Sequence, residues 1–207
     1  MSLDATLARV QQLDALFHPQ LAQAAVQPVA SSSSASGAGS TTFAGMLHGV
    51  MQPQPATDQG SGAANAIVQI AESQVGQAEQ PPGSNDSPAI ATYRTATQGA
   101  VAGAPWCAYF ASWVAQQAGT PIGSTGQGLG YVGDIWNWAR QTGRAIPNGP
   151  GVTPQVGDLI VFGNHHVGVV EQVQPNGDVQ TIEGNYSNQV SRVVRGPGEA
   201  SGYVRLG

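Results

Sequence analysis

Apolar and polar positions recur along this chain with a helical period first and a strand period afterwards, and the change falls after Pro154. Over residues 2–17, Leu3, Thr6, Val10, Leu13 and Phe17 are spaced three and four apart, the seam of an amphipathic helix that Pro19 ends. From Gln27 to Gly62 the text turns to runs such as Ser31-Ser32-Ser33-Ser34 and Pro53-Gln54-Pro55, with an apolar island over 43–51. Such composition cannot offset its ordering entropy, so a flexible linker is expected. The helical period resumes near Ala64, where Ile67, Ile70, Ala71, Val75 and Ala78 share one face. Pro81, Pro82, Gly83, Asn85 and Asp86 interrupt it, a short helix over 88–97 follows, and a longer one begins around Trp106. That helix turns Phe110, Trp113 and Val114 inward, takes Pro105 into its first turn and stops at Gly119 and Pro121. A last helix over 132–142 is closed by Gly143.

Beyond Pro154, stretches at 158–162, 166–173, 178–183, 189–195 and 203–206 are rich in Val and Ile and separated by turn residues, with Pro175-Asn176-Gly177-Asp178 as a hairpin signal. Helices followed by antiparallel strands predict an α+β domain with the helices packed on one sheet. The expected organisation is an amphipathic helix over 1–20, a linker over 21–62 and a folded domain over 63–207.

Charge narrows the functions. The formal net charge is -5, and all seven basic side chains are scattered arginines, so nucleic acid finds no electrostatic footprint. The lack of lysine removes Schiff-base chemistry, a Ser-Lys dyad and a phosphate-loop lysine. A single cysteine forbids an internal disulfide and a multi-cysteine metal centre. No segment approaches the ~20 apolar residues of a membrane helix. Asp4, Arg9 and Asp14 interrupt the first apolar stretch, so no ordinary secretory signal peptide is expected.

Cys107 is placed in the first turn of its helix, where free backbone N–H groups and the helix dipole favour an anion such as a thiolate. Spacing alone reads equally well as an inert core cysteine. His165 and His166 open a strand and point to opposite faces, so at most one approaches Cys107. Glu183-Gly184-Asn185 closes another strand with two polar side chains on one face, either of which could accept the imidazole Nδ1–H and fix the tautomer that takes a thiol proton. One thiolate with two opposed histidines makes a poor metal site, and no metal or other cofactor is expected.

Pro105-Trp106-Cys107-Ala108 with its aromatic helical tail, Gly157-Asp158-Leu159-Ile160-Val161-Phe162, His166-Val167-Gly168-Val169-Val170 and Glu183-Gly184-Asn185, in this order, resemble the CHAP family of cysteine, histidine-dependent amidohydrolases/peptidases. The resemblance spans about residues 64–207. It implies a papain-like α+β fold that hydrolyses amide bonds in peptidoglycan at the bacterial cell wall. It assigns Cys107 as nucleophile, His166 as general base, and Glu183 and Asn185 as the polar residues completing the site. Some relatives carry an acidic calcium loop before the cysteine, but Gly83-Ser84-Asn85-Asp86 supplies one carboxylate only.

The bond could be the N-acetylmuramoyl-L-alanine amide or one in a stem or cross-bridge peptide. The alternative is a non-catalytic wall-binding or adaptor protein of a phage or cell-envelope assembly. Trp106, Trp136 and Tyr186 are candidate substrate contacts, and the helix over 1–20 is a candidate surface for a protein partner or self-association. With no signal peptide expected, release would be phage-type or by a non-Sec route.

Overall fold

The computed structural model describes residues 59–207; the helix expected over 1–20, and the linker expected over 21–62 apart from its last four residues, lie outside the described residues. Four helices and six strands are found among them: α1 (Gln59–Glu72), α2 (Pro88–Arg94), α3 (Cys107–Gln117), α4 (Val132–Gln141), β1 (Ala145–Pro147), β2 (Leu159–Phe162), β3 (His166–Val173), β4 (Val179–Tyr186), β5 (Gln189–Arg195) and β6 (Gly202–Val204). The strands form one antiparallel sheet in the order β1-β6-β2-β3-β4-β5. The architecture is α+β, as the pattern predicts, and no described helix is long and apolar enough to cross a membrane.

Strand alternation sends every second side chain to the helices. Leu159, Val161, Val167, Val169, Ile182 and Val190 join Ile67, Phe110, Val114 and Ile135 in the main core. The intervening positions Ile160, Phe162, Val170 and Val179 make a smaller cluster with Tyr203 and Ala200 on the opposite face. A β-bulge between Val170 and Gln172 shifts the β3–β4 register.

Three local differences from the expected elements have physical causes. Helix α1 ends at Glu72 instead of continuing to Ala78, because Gly76 takes a φ of +90° and Ala78 bridges to Gln189 beside β5. Pro105 stands outside α3, whose N-cap is Trp106. Strand β1 was not anticipated: three residues ending in proline show no alternation, yet they pair with β6 at the sheet edge.

The Gly157-Asp158 pair is structural. Gly157 has a φ of +84°, and a Cβ there would sit 2.7 Å from the Ala64 Cα, so glycine lets α1 close over the entry to β2. The buried Asp158 carboxylate accepts from Arg205 Nε at 2.7 Å and Nη2 at 3.1 Å, and from the Gln155 N–H at 2.8 Å. At the predicted hairpin, Gln174 N–H donates to the Asp178 carbonyl at 2.8 Å and Gly177 adopts a φ of +89°.

Candidate active site

The start of α3 is fixed by Trp106, which is fully buried, stacks on Tyr93 at 5.8 Å between centroids, and donates its indole N–H to Glu79 Oε1 at 2.9 Å. Trp106 therefore anchors the helix and cannot contact substrate, contrary to the expectation from sequence. As N-cap it offers no side-chain hydrogen bond, so the first-turn N–H groups of α3 have no capping side chain. Cys107 is the first residue of this turn, 5% exposed, with Sγ 3.9 Å from the His165 carbonyl oxygen.

His166 opens β3 opposite Phe162 of β2 and lies on the sheet face turned away from the main core. Its Nε2 is 2.8 Å from Glu183 Oε2, and the neighbouring Cys107 side chain acts on the ring to raise its pKa, which leaves Nδ1 as the nitrogen free for the thiol. The ring thus has the reverse orientation to that expected: Nε2, not Nδ1, meets the carboxylate. The cause is the path of Glu183, whose stem crosses β3 at Gly168. A Cβ on Gly168 would stand 2.6 Å from Glu183 Cγ.

Asn185 does not share this role. The β4–β5 register shifts between Glu183 and Tyr186, and Asn185 has a φ of +60°, so the two-residue repeat that would align it with Glu183 is broken. Its Nδ2 lies 3.5 Å from Asn85 Oδ1 on the facing loop. His165 is exposed and approaches Cys107 through its backbone carbonyl only.

Glu183 is 0% exposed and both its oxygens are fully used. Oε1 accepts from Thr181 Oγ1 at 2.6 Å and Arg195 Nε at 2.8 Å; Oε2 accepts from Arg195 Nη2 at 2.6 Å and faces His166 Nε2. Burial pushes the Glu183 carboxyl up, but the hydrogen bonds from Arg195, His166 and Thr181 outweigh it and hold the group down at about 2. Burial likewise lowers the His166 pKa, and the hydrogen bonds and charges of Cys107 and Glu183 override it, raising the ring to about 9. At neutral pH the ring is an imidazolium between the Cys107 sulfur and a carboxylate.

Two clefts meet at this line. One, of about 660 Å³, lies beside the ring and is bounded by Phe162, His166, Asn185, Tyr186, Arg195 and Glu199. The other, of about 420 Å³, lies beside the sulfur and is walled by Pro105, Ala108, Val132, Tyr131 and Asn164, with the Asn164 amide donating to the Tyr131 hydroxyl at 3.0 Å. Tyr186 lines the first cleft. Trp136 borders neither, because its ring packs over Gly202 of β6, where a Cβ would come within 2.4 Å. Among the described residues no group of three His, Cys, Asp or Glu side chains is arranged to hold a metal. Asp86 instead pairs with Arg94 at 2.9 Å.

Sequence reasoning missed Thr181, Arg195, Tyr131 and Asn164. A signal existed for Arg195, which falls on the same alternation of β5 as Ser191 and Val193, the residues that pair with Glu183 and Thr181. Nothing in the spacing marks Tyr131 or Asn164, which meet only through loop geometry.

Residues 99–185 match the CHAP domain family. Among solved structures, the peptidoglycan hydrolase RipB from Mycobacterium tuberculosis is similar at 19% identity with a TM-score of 0.46, over 99% of this chain and 86% of that one. No curated protein sequence matches. The matched segment resembles the CHAP domain and contains Cys107, His166, Glu183 and Asn185.

Proposed function

We propose that this protein is a peptidoglycan hydrolase that opens an amide bond by acyl transfer to Cys107. The observation that carries the reading is the line from thiol to imidazole to fully buried carboxylate, an arrangement that activates a sulfur nucleophile. The resemblance of residues 99–185 to the CHAP domain supports peptidoglycan as the substrate and the bacterial cell wall as the place of action.

The raised His166 pKa keeps the ring protonated at neutral pH, and we read the attacking sulfur as a thiolate paired with that imidazolium. Sulfur bonds to the carbonyl carbon, and the carbonyl π pair moves onto oxygen. The first-turn N–H groups of α3 are suited to receive that oxyanion, a contribution worth about 2.7–4 kcal/mol for a single donor in comparable sites. As the C–N bond breaks, His166 gives its proton to the departing amine. The neutral ring then takes a proton from water, whose oxygen displaces sulfur from the thioester and releases the carboxylic acid. Glu183 stays ionised throughout and holds the ring. The cleft beside the sulfur and the cleft beside the ring give an extended substrate room around the scissile bond.

Clearing of purified peptidoglycan by wild type and Cys107→Ala tests this reading. The variant is expected to lose at least ~10⁴-fold in rate, the scale seen when a covalent nucleophile is removed. Equal clearing by both rejects it. Mass spectrometry of released fragments then separates the two bond classes: freed stem peptides mark an amidase, and new amino termini on stem or cross-bridge residues mark an endopeptidase.

A further inference from the structure

We propose that Arg195 is a positioning residue of this site, holding the Glu183 carboxylate in the plane that meets His166. The inference rests on the cysteine-hydrolase reading and adds a residue that lies beyond the segment matching the family.

The geometry is that of a clamp. Nε and Nη2 of Arg195 meet the two oxygens of Glu183 at 2.8 and 2.6 Å, a side-on fork that fixes the carboxylate plane as well as its charge. The guanidinium is itself fixed between two rings, 4.7 Å from the Phe162 centroid and 5.1 Å from that of Tyr186. Its third nitrogen, Nη1, is 3.4 Å from Glu199, a half-exposed carboxylate at the cleft edge.

The groups facing Glu183 are few: His166 from β3, Thr181 from β4 and Arg195 from β5, with Cys107 of α3 beyond the ring and Glu199 beyond the guanidinium. One fully buried negative charge is thus flanked by two positive ones. Without Arg195, each Glu183 oxygen loses a charged donor, and burial drives the carboxyl toward its neutral form. A neutral Glu183 no longer holds the imidazolium beside the Cys107 sulfur. Lysine would restore charge without the planar fork.

The test uses full-length Arg195→Gln, Arg195→Lys and Arg195→Ala, measuring iodoacetamide alkylation of Cys107 from pH 5 to 9 together with peptidoglycan clearing. Wild type should alkylate at nearly equal rates at pH 6 and 8. In Arg195→Gln the rate at pH 6 should fall at least ~10-fold relative to pH 8, the effect of about one pH unit of displaced titration. Clearing should fall in parallel, and Arg195→Lys should lie between the two in both measurements. Because Arg195 borders an open cleft, millimolar methylguanidinium should restore alkylation at pH 6 to Arg195→Ala, and methylammonium should not. Folded Arg195→Gln with the wild-type profile overturns the proposal. Lost clearing with an unchanged alkylation profile also overturns it, since Arg195 would then act on substrate. If Arg195→Gln fails to fold, a wild-type profile in Arg195→Lys has the same force. A wild-type protein that alkylates like free cysteine instead rejects the cysteine-hydrolase reading itself.

Discussion

The two faces of the sheet are built from the same alternating strands but follow opposite rules. Toward the helices, β2, β3 and β4 present Leu159, Val161, Val167, Val169 and Ile182, a continuous apolar surface. Away from them, the same strands carry Ile160, Val170 and Val179 in a small apolar cluster, and beside it the polar side chains of Thr181, His166 and Glu183 gather around Arg195. The first face contributes through area removed from water. The second keeps charge inside only because every oxygen of Glu183 has a donor. In the proposed mechanism stability and chemistry are carried by different faces of one sheet, and perturbing each face should give a different signature.

Glu183→Gln should break the polar face most severely. The amide preserves shape but removes the charge between His166 and Arg195, leaving a guanidinium without its buried partner. Clearing activity should drop by at least ~10³-fold, in the range found when the orienting acid of a triad is neutralised. An activity within tenfold of wild type would mean that Glu183 is not the group orienting the ring.

A pair of core substitutions sharpens the contrast. Leu159→Ala, on the helix face, should cost about 2–5 kcal/mol of stability in a denaturant melt while the folded fraction keeps its turnover. Gly168→Ala, on the other face, inserts a methyl 2.6 Å from Glu183 Cγ; the strain should cost only about 1–3 kcal/mol. Yet turnover should fall by ~10²-fold as the carboxylate is displaced from the ring. If the two variants change stability and turnover in the same proportion, the division of labour between the faces is wrong.

The same contrast explains what could be read in the sequence. The helix face was legible because burial imposes a period: Ile67 and Ala71 of α1, Phe110 and Val114 of α3, and the Val and Ile positions of β2 to β4 all recur at the spacing their element requires. Cys107 and His166 were legible through their positions at a helix start and a strand start. The rest of the site depends on tertiary geometry. Which ring nitrogen meets Glu183 is decided by the stem crossing at Gly168, and the departure of Asn185 is decided by a register shift; neither has a periodic signature. Trp106 and Trp136 read as groove aromatics only until Glu79 and Gly202 showed where their rings lie. Helix α1 was drawn too long for a related reason, since the apolar Val75 and Ala78 continue its pattern while the backbone has already turned toward β5.

Both pKa shifts tie this site to the stability of the domain. Glu183 is lowered from 4.5 to about 2, so its contribution is complete above pH 4.5 and lost as pH falls through 2. His166 is raised from 6.5 to about 9, so its contribution is complete below pH 6.5 and lost as pH rises through 9. The measurement that tests the central claim most directly is ¹⁵N NMR titration of the four histidines, His18, His48, His165 and His166, with the signal absent from a His166→Asn variant identifying the ring in question. That ring should titrate near 9 in wild type and move down by at least ~1 unit in Cys107→Ala, where the hydrogen bond and charge of the thiol are gone. A His166 that titrates at its ordinary 6.5 in both proteins would contradict a paired thiol and imidazole, and with it the chemistry built on them.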